Sequence, residues 1–134
     1  IMYYIKLIMK NNVIKLIQYL YYLSLTSLLI IYLFPGSLLG FFLYGDFGKQ
    51  PDLIKSPIGN SINHFIYFIY LTGLAAICNL KQVKILTSFV FLFFISIVLE
   101  ISHLYIPNRA FELYDLISNI AGVFVAFIVY KILR

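Results

Sequence analysis

The chain has 134 residues, of which 63% are apolar and 11% charged, and its mean hydropathy is +0.97. Soluble domains are about half apolar, so this composition excludes one and predicts an integral membrane protein, with room for a single bundle of a few spans. The formal charge of +5 comes from basic residues scattered singly along the chain, which fits membrane topology and excludes the basic stripe that nucleic acid binding requires.

Residues 1–15 carry Lys6, Lys10 and Lys15 and read as a cytoplasmic N-terminal segment. The run 16–34 holds no charge. At about 1.5 Å per residue it nearly matches a hydrocarbon core of about 30 Å. It is longer than the apolar part of a cleavable signal peptide, so the helix is expected to stay in the mature protein. Tyr19, Tyr21, Tyr22, Tyr32 and Phe34 are expected to be lipid-facing or interfacial anchors. Pro35 and Gly36 end this helix, and residues 37–45 are too few to span. Gly48, Pro51 and Pro57 mark 46–60 as a loop.

Three further apolar runs follow at about 61–80, 85–106 and 111–133, the last two separated by Pro107 and Asn108. Cys78 is the single cysteine. It cannot form an internal disulfide or a multi-cysteine metal site, and it reads as packing. The expected fold is therefore all-α, an integral membrane four-helix bundle over residues 16–134 with spans at about 16–34, 61–80, 85–106 and 111–133. One side of these spans collects Lys6, Lys10, Lys15, Lys81, Lys84, Lys131 and Arg134, and the other Lys49, Lys55 and Arg109. The excess places both termini in the cytoplasm.

Measured from the cytoplasmic lysines, Glu100 lies 16 residues after Lys84, Asp115 16 before Lys131, and His64 17 before Lys81. At helical rise each is about 24 to 26 Å deep, just inside the outer boundary. Ionisable groups are costly there, so they are expected to face one another or a wet cavity. Glu100 and His103, Asp115 and Asn119, and His64 and Tyr67 are three or four residues apart and so share helix faces. Arg109, in the intervening turn, is the expected countercharge, because a guanidinium can bridge two carboxylates. Ser118, Gly122 and Ala126 repeat every four residues, a small-residue stripe that lets another helix approach closely.

Several chemistries compete for this layer. Arg109 could take an anionic headgroup while Glu100, Asp115, His64, Tyr67, His103 and Asn119 orient it or contribute hydrogen bonds. Alternatively, Glu100, Arg109 and Asp115 form a structural ion-pair network. Catalysis on a lipid-linked substrate would need Glu100 or His64 as base, but no recognisable nucleophile motif accompanies them. Glu100 and His103 make one Glu-x-x-His unit of the kind di-iron bundles use twice, and His64 and Asp115 would be needed to complete a site. A single copy leads to no expectation of a metal or other cofactor. Transport is disfavoured because the polar groups gather at one depth instead of forming a ladder across the bilayer.

The second half of the chain resembles the VanZ-like family of small bacterial membrane proteins. The resemblance rests on His64, Phe65 and Tyr67 in "NHFIYFIYL", Glu100, Pro107 and Arg109 in "LEISHLYIPNR", and Asp115, Asn119 and Gly122 in "YDLISNIAG". It covers roughly residues 60–126. The chain departs from the family pattern at Asn60 and Ser61, where Asp-Lys is usual, and at His103, where glutamine is usual. The family is named for a protein conferring low-level teicoplanin resistance. The resemblance implies a multi-pass protein of the bacterial cytoplasmic membrane, linked to antibiotic tolerance. The combined expectation is a non-enzymatic cell-envelope protein whose partners are membrane lipids and an envelope precursor ligand, with no nucleic acid. The alternative is an accessory subunit of a larger membrane complex.

Overall fold

The structure is a computed structural model describing residues 1, 3–5, 11–51, 59–80 and 82–134, without the side chain of Asn60. Lys6, Lys10, Lys55 and Lys81, which enter the charge count for topology, and Pro57 of the expected loop lie outside the described residues. Every regular element among the described residues is helical. They are α1 (Asn11–Leu33), α2 (Leu38–Tyr44), α3 (Gly59–Cys78), a 3-10 turn (Ile85–Thr87), α4 (Phe89–Ser102) and α5 (Leu113–Leu133).

Three of these helices, α1, α3 and α5, are long and apolar enough to cross a membrane. The remaining expected span, 85–106, third in chain order, differs from expectation. Its helical part is the 14-residue α4, about 21 Å long at helical rise. Local chemistry sets both ends. The Ser88 hydroxyl accepts from the Phe91 amide and caps the start. At the other end the chain leaves the helix at His103, four residues before Pro107, whose ring disfavours helical backbone in the residue preceding it. Asn108 then turns the chain with a φ of 59°, a left-handed conformation that asparagine tolerates better than most residues.

Helix α3 lies at the centre, packing most extensively on α5 and also on α1, while α4 packs on α5 and touches α1. Gly122 explains the closeness of α3 and α5. A Cβ there would lie 2.7 Å from the Phe65 carbonyl oxygen and 2.9 Å from the Phe68 Cβ. The stripe of small residues thus faces another helix at its middle, with Ala126 buried beside it and Ser118 half-buried. Such contacts supply van der Waals attraction where lipid provides no hydrophobic drive.

Helix α1 buries Tyr21, Leu25, Leu28 and Tyr32 in a common core with Phe68, Leu71, Ala75, Leu92, Leu99 and Val123. Two of the expected lipid anchors are therefore core residues. Tyr21 is fully buried with its hydroxyl donating to the Leu86 carbonyl, and Tyr32 is 6% exposed. Their hydroxyls find partners inside, which removes the cost of burying them. Tyr19, 73% exposed, keeps the outward position. At the far end of α3, Asn79 and Thr87 exchange side-chain hydrogen bonds, Thr87 Oγ1 to Asn79 Oδ1 at 2.7 Å and Asn79 Nδ2 to the Thr87 carbonyl at 2.8 Å. The pair fastens the 3-10 turn to α3.

Helix α2 is a short element that follows α1. Ser37 accepts from the Gly40 amide at 2.9 Å and starts it, and Gly45, at a φ of 69°, ends it. The following loop folds back, stacking Phe47 on Phe41 with centroids 4.3 Å apart. Its backbone comes so close that a Cβ on Gly40 would lie 1.7 Å from the Lys49 carbonyl oxygen.

Candidate functional site

The groups that spacing places at one depth do meet. His64 of α3, Glu100 of α4 and Asp115 of α5 each offer one ligand-type atom within 4.8 Å of the others. His64 Nε2 lies 3.6 Å from Asp115 Oδ2, and His64 Nδ1 lies 3.9 Å from Glu100 Oε2. Both contacts are too long to be hydrogen bonds. Glu100 is fully buried and Asp115 nearly so.

Each of the three is held from behind. The Ser61 hydroxyl donates to Asp115 Oδ1 at 2.5 Å. Glu100 Oε1 accepts the Glu112 amide at 3.2 Å and faces His103 Nδ1 at 3.3 Å. Around His64, Nδ1 lies 2.6 Å from the Tyr32 hydroxyl and 3.2 Å from Asn119 Oδ1, and the same hydroxyl donates to Asn119 Oδ1 at 3.0 Å. The Asn119 amide is oriented by Nδ2 donating to the Ser96 carbonyl at 3.3 Å.

Two proton arrangements satisfy this triangle. With the Tyr32 proton on Asn119 Oδ1, His64 Nδ1 carries a proton and turns a bare Nε2 toward Asp115; with the Tyr32 proton on Nδ1, the shorter contact, a neutral His64 carries its proton on Nε2. His103 lies differently. Its Nε2 donates to the Tyr32 carbonyl at 3.2 Å and its ring stacks on Tyr32 with centroids 5.1 Å apart. Its Nδ1 faces Glu100 Oε1, so the ring links α4 to the end of α1.

Arg109 does not take the expected place. Its Nη2 donates to the Ile31 carbonyl at 2.5 Å and its Nε to the Phe34 carbonyl at 3.2 Å, so it caps the end of α1 instead of bridging Glu100 and Asp115. The physical reason is that the last carbonyls of a helix lack intrahelical partners and carry the negative end of its dipole. The histidines face the carboxylates instead. Burial lowers the pKa of the Arg109 guanidinium, against the opposing influence of Tyr32 and Glu100. The exposed Glu112 has its pKa raised, by partial desolvation first and then by repulsion from Asp115 and Glu100.

A pocket of about 130 Å³ opens beside this cluster. His64, Tyr67, His103 and Arg109 line it together with Tyr32, Asn63, Gln50 and Ser37, and Leu28, Ile31, Leu39 and Phe68 supply an apolar wall. Tyr67 itself donates to the Ser24 carbonyl at 2.8 Å, away from the carboxylates. Of the expected residues, His64, Glu100, His103, Asp115 and Asn119 thus form one connected group, and Tyr67 and Arg109 join it only through the pocket.

Sequence reasoning missed Tyr32 and Ser61. For Tyr32 a signal existed, because Tyr21, Leu25, Leu28 and Tyr32 recur at spacings of four, three and four, the pattern of one buried helix face. Ser61 carries no comparable signal. A serine early in an apolar helix is as readily a packing residue.

No curated protein and no solved structure matches the chain. The model of the VanZ/LLP1 family matches residues 3–134 and so extends well beyond the half that carries the motif residues. With apolar helices long enough to span a bilayer and this match over nearly its whole length, the chain is a membrane protein that belongs to the VanZ/LLP1 family.

Proposed function

We propose that this protein binds an amphipathic ligand of the bacterial cell envelope, a lipid or a glycopeptide-related precursor, in the pocket beside the His64 cluster. The observation that carries the reading is the division of the pocket lining, with Leu28, Ile31, Leu39 and Phe68 as an apolar wall and Asn63, His64, Gln50 and Arg109 as polar groups. Sites for molecules with a headgroup and a tail combine these two surfaces. Arg109 brings positive charge to the rim, and with one hydrogen each of Nε and Nη2 given to backbone carbonyls, both hydrogens of Nη1 and the second of Nη2 are left for an anionic headgroup. In this reading the protein is a multi-pass protein of the cytoplasmic membrane with both termini inside and the pocket near the outer surface. Family membership supports a link to antibiotic tolerance.

Native mass spectrometry of protein extracted gently from its own membrane tests this. A retained envelope lipid should be present in the wild type and lost in Leu39→Trp, which fills the pocket from an exposed position. A wild-type protein carrying no lipid or precursor would refute it.

A second reading makes the protein a non-catalytic accessory subunit whose polar layer is structural. It is favoured by one observation, that the buried hydrogen bonds tie α1, α3, α4 and α5 to one another. A protein partner at fixed stoichiometry with no small ligand would support it.

A further inference from the structure

We infer that His64, Glu100 and Asp115 form a binding site for a divalent first-row transition metal ion, with Zn²⁺ as its representative. The inference does not rest on the lipid reading. A lone Glu-x-x-His unit gives no such expectation, and His103 is indeed not one of the three converging groups. What points to a cation is the way these three are presented.

Glu100 Oε2 is buried and has no hydrogen-bond partner among the described residues, while its other oxygen is held by the Glu112 amide and faces His103. A buried carboxylate oxygen without a partner is costly, and Oε2 lies on the side of His64. His64 Nδ1 is engaged by Tyr32 and Asn119, which leaves Nε2 directed at a carboxylate oxygen of Asp115, 3.6 Å away. Arg109 adds no bond to this cluster, because its Nη2 and Nε donate to the Ile31 and Phe34 carbonyls.

The outer partners match what metal-ligating groups require. A ligating histidine has its other nitrogen proton fixed by an oxygen acceptor, and a ligating carboxylate has its second oxygen hydrogen-bonded. Here Tyr32 and Asn119 do this for His64, Ser61 for Asp115, and the Glu112 amide for Glu100. Ligand atoms within 4.8 Å of one another need only modest side-chain shifts to reach metal bonds of about 2.0 to 2.2 Å. One imidazole nitrogen and two carboxylate oxygens suit Zn²⁺ or Mn²⁺, and two carboxylates neutralise a dication. Three protein ligands leave a position open. His64 keeps 14% of its side chain exposed and lines the pocket, which gives the ion a route in.

The test uses the full chain in mild detergent, stripped with a chelator and confirmed folded by circular dichroism and gel filtration. Zn²⁺ is titrated against a chromophoric chelator, and bound metal is counted by mass spectrometry. The wild type should bind one Zn²⁺ per chain at micromolar affinity or tighter. Glu100→Gln and Asp115→Asn should each weaken binding by about 100-fold or more, and Tyr32→Phe by about 10-fold. Ile128→Ala, at an exposed position of α5 outside the pocket, leaves all three ligands in place and should bind as the wild type does. Co²⁺ titration of the unmodified chain gives a second reading if a carboxamide variant does not fold, since bound Co²⁺ should show d–d absorption that one equivalent of Zn²⁺ removes. A folded wild type that binds neither ion would overturn the inference, as would folded Glu100→Gln and Asp115→Asn variants with unchanged affinity. Loss of lipid binding alone would leave it standing.

Discussion

Arg109 is bonded to Ile31 across 78 positions of sequence, its guanidinium donating to the carbonyl near the end of α1. A second bond reaches Phe34. Because charge-assisted hydrogen bonds are each worth about 1.5–3 kcal/mol, Arg109→Ala should destabilise the protein by about 2–4 kcal/mol. Arg109→Lys should recover only part, since one ammonium does not reproduce the fork. Thermal unfolding in detergent measures both. Equal stability of Arg109→Ala and wild type would show that the contact is not formed.

The approach of α5 to α3 at Gly122 makes a second case. Adding a methyl group would push it into the Phe65 carbonyl and the Phe68 side chain, so Gly122→Ala should cost about 1–3 kcal/mol through overpacking. Gly122→Leu should abolish the folded state. Protease resistance of the detergent-solubilised protein provides the comparison. Ala126→Gly, on the same stripe, adds no bulk and should keep the helices together.

Asn119 holds three groups at once, the Tyr32 hydroxyl, His64 Nδ1 and the Ser96 carbonyl. Truncation to alanine strands them in a buried site, which costs about 1–3 kcal/mol for each group left unsatisfied. Asn119→Ala should therefore lower stability by more than Tyr32→Phe, which removes the hydroxyl and leaves the amide bonded to His64 and Ser96. A double-mutant cycle between positions 32 and 119 should give a coupling of about 0.5–3 kcal/mol. Additive effects would contradict the network.

Glu112 gives a pH signature. Its folded pKa is raised, so the folded state favours the protonated form, and wild-type stability falls as pH rises through that raised value. Glu112→Gln removes this loss. The variant should match the wild type below the ordinary carboxylate range and exceed it at pH 7, by no more than a few tenths of a kcal/mol for so exposed a group. Unfolding curves at acid and neutral pH decide it. A variant less stable than the wild type at neutral pH would reverse the sign.

Much of this site was legible because helical spacing is a ruler. Equal distances from Lys84 and Lys131 place Glu100 and Asp115 at one level, and the structure brings both to His64. The role of Arg109 was not legible in the same way. Pairing by charge considers side chains only, whereas the acceptors it uses are backbone carbonyls that no residue letter reveals. Tyr32 was misplaced for a related reason. An aromatic with one polar atom suits an interface, and only knowledge of His64 and Asn119 on facing helices shows that its hydroxyl is satisfied inside. The extent of α4 was obscured by the apolar residues on both sides of it, which continue the hydropathy after the helical backbone has stopped.

The brevity of α4 bears on how the backbone around it is satisfied. A helix of about 21 Å falls short of a hydrocarbon core of about 30 Å, so α4 alone does not carry the backbone across that thickness in α-helical form. The apolar chain continues beyond both of its ends, and there each amide still needs an acceptor. Tighter turns supply it: Thr87 and Ser88 donate to carbonyls three residues back on one side, and His103, Leu104 and Tyr105 do the same on the other. A change of helix type, not a longer helix, thus keeps the backbone of this face paired.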